Sequence, residues 1–421
     1  MDSWLSVYLS WALVFAYTYP LFMAYVWMVG GLQYFFKWER GRPMGSEALN
    51  ELSSCPPVSI LVPCHNEEDN LRETIEALHN QNYPDFEIIA INDGSTDNTG
   101  EMLEALGRQY PRLRVVQLAE NRGKAMALCM GALASPNEFL ICVDGDTLLD
   151  ANATAWIMKH FLDGCRVGAV TGNPRVRTRS TLLGKIQVGE FSSIIGLIKR
   201  AQRIYGRVFT ISGVVAGFRK SALQEVDYWS TDAITEDIDV SWKLHLSGWD
   251  IRFEPNALCW ILMPETFKGL WSQRLRWAQG GVEVFIRYLP QILHLRQRRL
   301  WLLFAEYLVS MLWAYTILSL IVLWPMMQFI PQMEGVATFS ILPGSAGLLL
   351  GLTCLIQFAV SFYIDGRYEK GLGKLYYWMI WYPLVYWLIN LLTLVVAVPK
   401  ALLRPRGKRA TWVSPDRGVR P

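Results

Sequence analysis

Two kinds of hydrophobic pattern divide this chain. Residues 4–36 contain no charged side chain, and further apolar blocks lie near the other end, at 302–330, 344–364 and 375–398. A helix that spans a bilayer needs roughly 20 apolar residues, so each block is long enough to be a membrane span. Residues 37–299 instead mix polar and apolar positions, which is typical of a folded domain with its own core.

Within that middle region, short apolar runs alternate with helical stretches. Strand starts about 25 to 30 residues apart are what βαβ units require, so the pattern predicts an α/β domain with a mostly parallel sheet. In such sheets, ligands bind at the carboxyl ends of the strands. The predicted strands are 58–62, 87–91, 113–118 and 139–143, and the predicted helices between them are 67–80, 97–110 and 123–135.

Composition supports a membrane protein. Hydrophobic residues make up 52% of the 421 residues and charged residues only 18%, whereas about 25% of a soluble domain is charged. The net charge of +3 is weak, and it gives no indication of a nucleic-acid partner.

The distribution of cations predicts the orientation. Cytoplasmic loops collect Lys and Arg; three cations follow the first apolar block within 37–42, whereas only Asp2 precedes it. We therefore expect one span near 18–36, with the preceding segment tilted or interfacial, and a cytoplasmic middle domain. Span parity places the tail outside, but its Lys and Arg residues favour the inside, so the side of the tail stays open.

The motif Asp144-Gly145-Asp146 follows the buried strand 139–143. Two carboxylates at i and i+2, where a strand becomes a loop, can hold a divalent cation that bridges two phosphates. Mg²⁺ or Mn²⁺ at Asp144 and Asp146 would neutralise a departing diphosphate. The alternative is a plain surface turn, because Asp and Gly favour turns.

Two loops at neighbouring strand ends offer contacts to a nucleotide base. Asp93 ends the second predicted strand and could accept the N3–H of uracil. His65 and Glu67 follow the first strand and could line the other side of the base-binding pocket. A solvated loop histidine is the alternative for His65.

Lys124 lies where Arg122-Gly123-Lys124 opens a helix. A cation beside helix N-terminal N–H groups suits a phosphate. The alternative is an exposed basic turn.

The sequence Thr235-Glu236-Asp237 opens a predicted helix over 237–246. In a sugar transfer, the acceptor hydroxyl needs a base close to the anomeric carbon of the donor. Asp237, with Glu236 beside it, is the candidate for this catalytic role. Acidic residues also favour helix N-termini for purely electrostatic reasons, which is the alternative.

The cluster Gln273-Arg274-Leu275-Arg276-Trp277 lies shortly before the second apolar block. Gln273, Arg276 and Trp277 stand at i, i+3 and i+4 and therefore share one helical face. Such a face offers a ring for stacking a sugar and a guanidinium for a diphosphate. The alternative is an amphipathic helix at the membrane interface, where Trp and Arg side chains are common.

Together these motifs resemble the family 2 processive glycosyltransferases, in which an early Asp, a DxD, a (T/S)ED and a QxxRW occur in this order. Further stretches are similar to a branch whose bacterial members polymerise N-acetylglucosamine through β-1,6 linkages into a biofilm polysaccharide. They are 171–175, 184–190, 234–239 and 259–266.

The resemblance implies a GT-A fold and an inverting transfer from UDP-N-acetylglucosamine to a growing polysaccharide. It also implies a multi-pass protein of the bacterial inner membrane, with a small two-span partner subunit, and it leaves regulation by cyclic di-GMP open. The roles that it carries over are uridine binding by Asp93, diphosphate and metal binding by Asp144 and Asp146, base catalysis by Asp237, and acceptor and diphosphate binding by Gln273, Arg276 and Trp277.

The expected organisation follows from these assignments. We expect an N-terminal transmembrane segment at 1–42, a GT-A domain at 43–270, interfacial helices with the QxxRW motif at 271–300, C-terminal spans at 301–399 and a basic tail at 400–421. The alternatives are a chitin- or hyaluronan-type synthase, a transferase to a lipid carrier, and a transporter or sensor with a degenerate transferase domain.

Overall fold

The computed structural model describes residues 2–328, 344–405, 407, 409–410 and 417–418. Residues 329–343, which include the connection between the second and third apolar blocks, lie outside the described residues. In the described part, one sheet forms the middle domain, with the strand order β3-β2-β1-β4-β7-β6-β8-β5. Its strands are β1 (Val58–Cys64), β2 (Phe86–Asp93), β3 (Leu113–Leu118), β4 (Phe139–Val143), β5 (Leu148–Leu149), β6 (Val167–Val176), β7 (Val215–Arg219) and β8 (Asp250–Ile261).

The predicted mostly parallel sheet is confirmed. β1 pairs in parallel with both β2 and β4, and β2 pairs in parallel with β3. β7 runs antiparallel between β4 and β6, and the short β5 runs antiparallel to β8. The carboxyl ends of β1, β2 and β4 therefore meet at one edge of the sheet.

Helices cover the sheet on both faces, which explains why the strands are continuously apolar. Alternate residues of a strand point to opposite faces: Ile60 and Val62 belong to one buried cluster, whereas Leu61 belongs to another. The helices of this domain are α2 (Leu71–His79), α3 (Thr99–Gln109), α4 (Lys124–Ala134), α5 (Ala153–Leu162), α6 (Leu182–Glu190), α7 (Lys199–Tyr205), α8 (Lys220–Glu225), α9 (Glu236–Leu246) and α10 (Phe267–Ile292), and they follow the N-terminal α1 (Asp2–Tyr34).

Four helical segments are long and apolar enough to cross a membrane, at Val7–Glu39, Leu295–Trp324, Ser345–Asp365 and Tyr382–Leu403. The first belongs to α1, a continuous helix of 33 residues. At 1.5 Å per residue it is about 50 Å long, so it exceeds a hydrocarbon layer of about 30 Å and either tilts or extends beyond it. The other helices are α11 (Trp301–Gln328), α12 (Ser345–Asp365) and α13 (Trp387–Leu403).

The apolar block at 375–398 does not form one regular helix. The region is divided into a 3₁₀ segment Leu372–Ile380, a π-helical turn Tyr382–Tyr386 and α13. Pro383 lies in the π-helical turn and has no N–H to donate to a regular helix. Hydropathy alone cannot detect such a break.

Buried ion pairs tie the membrane helices to the middle domain. Asp365, at the end of α12, lies 2.7 Å from Arg175 of β6 and 3.1 Å from Arg200 of α7, and Arg200 also pairs at 2.6 Å with Glu39. Arg404, after α13, pairs at 2.6 Å with Glu283 of α10. The chain from Asp365 to Arg404 thus leaves the middle domain and returns to it.

Candidate active site

The candidate site lies at the edge where β1, β2 and β4 end. β1 and β2 pair as far as Cys64 with Asn92, so the loops after them are held side by side. The loop after β4 carries Asp144-Gly145-Asp146, and Thr74 donates a hydrogen bond to the Gly145 carbonyl oxygen at 2.9 Å. The polar residues in the loops after these three strands lie close together, as expected.

Asp93 is fully buried, and its carboxylate organises the loop that leads into α4. One carboxylate oxygen accepts the N–H of Arg122 and the other that of Gly123, both at 2.8 Å. Gly123 has φ +90°, which favours glycine. Contact between Asp93 and a base stays a prediction; the geometry assigns this carboxylate the positioning of the loop before Lys124.

His65 is buried, so a solvated loop histidine is wrong. Its Nδ1 lies 2.9 Å from the carbonyl oxygen of Asp93, and its Nε2 lies 3.0 Å from the side-chain amide of Asn121. Because a carbonyl oxygen only accepts, Nδ1 carries the proton and Nε2 accepts from Asn121. His65 therefore connects the ends of β1 and β2 to the loop that precedes α4.

Lys124 lies between the carboxylates of Asp144 and Glu236 rather than in an exposed turn. Its ammonium nitrogen is 2.6 Å from Asp144 and 3.2 Å from Glu236, and it donates a hydrogen bond at 3.1 Å to the Gly213 carbonyl oxygen. Although burial opposes the charged form, the two carboxylates raise the pKa of Lys124 above its usual range. A permanent cation thus links the DxD loop to the start of α9.

Asp237 lies in the first turn of α9, and its oxygens accept the N–H groups of Ile238 at 2.9 Å and Gly213 at 3.2 Å. Burial, and then the charge of Glu236, raise the pKa of Asp237 to about 6. A carboxylate with such a pKa is ionised at neutral pH and is a stronger base than a solvated Asp.

Arg417, far along the chain, holds the other acidic residues of the site. Its Nε lies 2.9 Å from Asp146, and its terminal nitrogen pairs with Glu67. Burial, and then the charge of Asp146, raise the pKa of Glu67 to about 8. Nearby, Ala410 donates its N–H to the Thr231 carbonyl oxygen at 3.1 Å, so the described part of the tail lies on the catalytic domain.

The donor chemistry of this corner fits a divalent cation. Asp146 and Glu67 converge on one guanidinium, and the Oε2 atom of Glu67 is buried with no hydrogen-bond partner among the described residues. Hard oxygen donors of this kind suit Mg²⁺ or Mn²⁺. No group of three metal-binding side chains is gathered in the part of the chain that the structure describes, and Arg417 supplies the positive charge there instead.

The QxxRW residues lie on α10, whose first turn is capped by Thr266. The Oε1 atom of Gln273 is buried without a hydrogen-bond partner among the described residues. Trp277 is partly buried against Phe191, at a ring-centroid distance of 6.4 Å. Arg276 is exposed and pairs with no carboxylate in the described ranges, which leaves it available to an anion.

Helix α10 packs against the start of α9. A Cβ atom added at Gly280 would lie 2.1 Å from the hydroxyl oxygen of Thr235, so only glycine allows this approach. Further along, Arg287 and Tyr288 both reach Asp239 at 2.9 Å. The candidate base and the QxxRW face are therefore held next to each other.

The sequence interpretation missed the residues that support this helix. Arg274 lies 4.4 Å from the ring centre of Trp277, and it pairs at 2.6 Å with Glu190, which is buried. Glu190 also accepts hydrogen bonds from Tyr386 at 2.8 Å and Asn390 at 2.9 Å. Glu190 is the only charged residue in the apolar stretch 186–198, and this isolation could have indicated a buried ion pair. No comparable local pattern marks Arg417.

The sheet, the acidic residues at its strand ends and the four candidate membrane helices are those of a GT-A glycosyltransferase with membrane-spanning segments. Residues 56–280 match the family described as glycosyltransferase like family 2, and the chain belongs to this family. It is similar to poly-beta-1,6-N-acetyl-D-glucosamine synthase of Staphylococcus epidermidis, with 42% identity over 408 residues that cover 95% of this chain and 97% of the relative. The synthase of Staphylococcus aureus strain MSSA476 is also 42% identical, over 400 residues, with the same coverage.

A solved structure supports the fold. A mannosyltransferase from Pyrobaculum calidifontis, determined in complex with GDP-Man and Mn²⁺, superposes with a TM-score of 0.60 and covers 92% of this chain and 99% of its own. Its sequence is only 19% identical, so the likeness concerns the fold alone.

Proposed function

We propose that this protein is a membrane-embedded, processive and inverting glycosyltransferase that polymerises N-acetylglucosamine from UDP-N-acetylglucosamine into a β-1,6-linked biofilm polysaccharide. The observation that carries the proposal is the junction of α9 and α10, where the base at Asp237 and the QxxRW face meet across Gly280 and Thr235. The relatives named as synthases of this polymer support the choice of sugar and linkage.

In the proposed reaction, an acceptor hydroxyl attacks the anomeric carbon of the donor while Asp237 takes its proton. The hydrogen bonds from Ile238 and Gly213 fix the carboxylate, and its raised pKa suits a base at neutral pH. The bond to the diphosphate breaks on the opposite face of the sugar, so the configuration inverts.

The leaving diphosphate gains negative charge, and the site offers cations for it. Lys124 is held between Asp144 and Glu236, and Arg276 is exposed on α10. Asp144 and Asp146 would hold Mg²⁺ or Mn²⁺, which supplies charge neutralisation when bound.

The acceptor side is assigned to α10. An indole face packs against the C–H groups of a sugar ring without specific hydrogen bonds, so Trp277 can hold successive units of an advancing polymer. The buried and unpartnered Oε1 atom of Gln273 can accept a hydrogen bond from a sugar hydroxyl.

The proposed topology places the catalytic domain in the cytoplasm of a bacterial cell, beneath the inner membrane, with the polymer leaving between the spans. The cations at 37–42 support this orientation. Because the segment from Asp365 to Arg404 returns to the catalytic domain, the tail lies on the same side. A reporter fused at residue 150 that responds only outside the membrane would contradict the proposal.

The decisive experiment incubates purified membranes with individual labelled UDP-sugars and determines product length and linkage. We expect UDP-N-acetylglucosamine alone to yield a long β-1,6-linked polymer. A 4-linked polymer would indicate a chitin-type synthase, a requirement for two UDP-sugars a hyaluronan-type synthase, and single transfer to a lipid a carrier transferase. A small two-span partner subunit and cyclic di-GMP are tested by adding each to the same assay.

A further inference from the structure

A second polar cavity lies at the opposite edge of the sheet from the candidate active site. β6 and β8 run in the same direction as β4, because β7 is antiparallel to both β4 and β6 and β8 is parallel to β6. Arg166 precedes β6 and Asp250 begins β8, so both lie at the amino ends of the strands. The cavity has a volume of about 630 Å³ and is lined by Arg166, Tyr205, Gly206, Arg207, Gly248, Asp250 and Arg299.

This cavity, the arginine cleft, contains far more positive than negative charge. Asp250 pairs with Arg207 at 2.8 Å, with Arg203 at 3.1 Å and with Arg252 at 3.4 Å. The single negative charge of Asp250 therefore pairs with three arginines, and the cavity lining contains further arginines.

Arg166 and Arg299 add two further charges. Both are exposed, and neither has a carboxylate within ion-pair distance among the residues with described positions. Arg166 donates to the Gly248 carbonyl oxygen at 3.0 Å and lies over the ring of Trp249, so its position is defined. Burial and the nearby charges of Arg203 and Arg299 lower the pKa of Arg207, against the effect of Asp250, which agrees with an excess of positive charge.

The cleft opens between two candidate membrane spans. Arg299 lies in the 3₁₀ segment Leu295–Leu300, directly before α11. Tyr205 lies against α1, because a Cβ atom added at Gly30 would be 2.6 Å from its ring. Next to Arg299, the large apolar side chains of Trp301 and Leu302 are 40% and 62% exposed, so an apolar surface that acyl chains can cover begins directly beside the cleft.

We propose that the arginine cleft binds the phosphate of an anionic phospholipid from the leaflet that faces the catalytic domain. Guanidinium groups bind phosphate oxygens through paired, charge-assisted hydrogen bonds. Basic pockets between membrane helices are the places where acidic headgroups bind. Arg166, Arg207 and Arg299 contact the phosphate, and the exposed apolar side chains beside Arg299 contact the acyl chains.

The test uses the purified full-length protein in a neutral detergent, with short-chain phosphatidylglycerol as the probe. The variant Arg166→Gln/Arg299→Gln removes two exposed cations of the cleft that hold no ion pair. The matched control Arg296→Gln/Arg298→Gln makes the same charge change in the same basic segment, at residues that do not line the cavity.

We expect wild type to bind phosphatidylglycerol well above phosphatidylcholine of the same chain length. Each charge-assisted hydrogen bond to the phosphate accounts for about tenfold in affinity, so the cleft variant should bind phosphatidylglycerol about 100-fold more weakly, whereas the control should stay within about threefold of wild type. UDP affinity should be equal in all three proteins, which verifies folding.

Three results would overturn the proposal. They are equal affinity of wild type for the two lipids, equal losses in the cleft variant and the control, and displacement of phosphatidylglycerol by inorganic phosphate at comparable concentrations. The last would identify a soluble anion, rather than a lipid, as the ligand of the cleft.

Discussion

Replacing Glu190 by Gln tests how the QxxRW helix is held. Glu190 is 1% exposed and accepts hydrogen bonds from Arg274 at 2.6 Å, Tyr386 at 2.8 Å and Asn390 at 2.9 Å. Gln has nearly the same shape, and a rotated Asn390 amide can accept from its new NH₂ group. The substitution therefore keeps the hydrogen bonds and removes the negative charge.

The expected magnitude follows from the burial of the partner. Arg274 is only 6% exposed, and breaking a buried ion pair on one side destabilises a protein by about 3–5 kcal/mol, whereas an exposed pair contributes about 0–1 kcal/mol. The hydrogen bond that Gln still accepts from Arg274 offsets about 1 kcal/mol of this cost. We expect Glu190→Gln to lower the free energy of unfolding by about 2–4 kcal/mol.

A double-mutant cycle separates the ion pair from other effects. Arg274→Gln leaves Glu190 buried and unpaired, whereas the double variant Glu190→Gln/Arg274→Gln leaves no buried charge. Denaturant unfolding in detergent should show that the double variant is more stable than the sum of the single effects by about 2 kcal/mol or more. Additive single effects, or a Glu190→Gln variant within about 0.5 kcal/mol of wild type, would refute the reasoning.

The same variants connect stability to function. Arg274 lies over Trp277, so loss of the charge at Glu190 should loosen Arg274 and, with it, the ring that we propose as the stacking surface for the acceptor. On folded Glu190→Gln protein, we expect shorter polymers with nearly normal UDP affinity. A purely structural role would instead reduce the amount of folded enzyme and leave polymer length unchanged.

The remaining predictions concern the reacting groups. Asp237→Asn should lower turnover by about 10²–10⁴-fold with UDP affinity intact, and near-normal turnover would contradict the assignment of the base. Because Asp237 acts ionised and its pKa is raised to about 6, kcat/KM should fall as the pH drops through that value; a profile that stays flat well below it would exclude this base. Activity should vanish in EDTA and return with Mg²⁺ or Mn²⁺, and Arg417→Ala should bind Mn²⁺ more tightly because it frees the acidic pair; full activity in chelator would exclude the metal. Trp277→Ala should shorten the polymer, whereas Trp271→Ala on the same helix should not, and full-length polymer from the first variant would exclude stacking.

The sequence by itself determined four of the eight strands in the described sheet and the acidic residues at their ends. β3 and β4 have the predicted bounds, because a continuous apolar run between polar turns has few other solutions. β1 and β2 extend two residues further, to Cys64 and Asp93, because backbone pairing continues past the apolar runs, in β2 into the polar residues Asn92 and Asp93. Asp93, Asp144 and Asp237 could be recognised as candidate site residues for a similar reason, since each lies at the end of a strand or at the start of a helix.

Only the tertiary structure decided which charges meet. Arg417 lies 271 residues after Asp146, and Arg274 lies 84 residues after Glu190. Such contacts depend on how whole elements pack, and no local periodicity encodes them. The position of the tail relative to the catalytic domain also depends on tertiary structure. Charge and span parity conflicted in the sequence, whereas the ion pair between Arg404 and Glu283 brings the chain back to the catalytic domain.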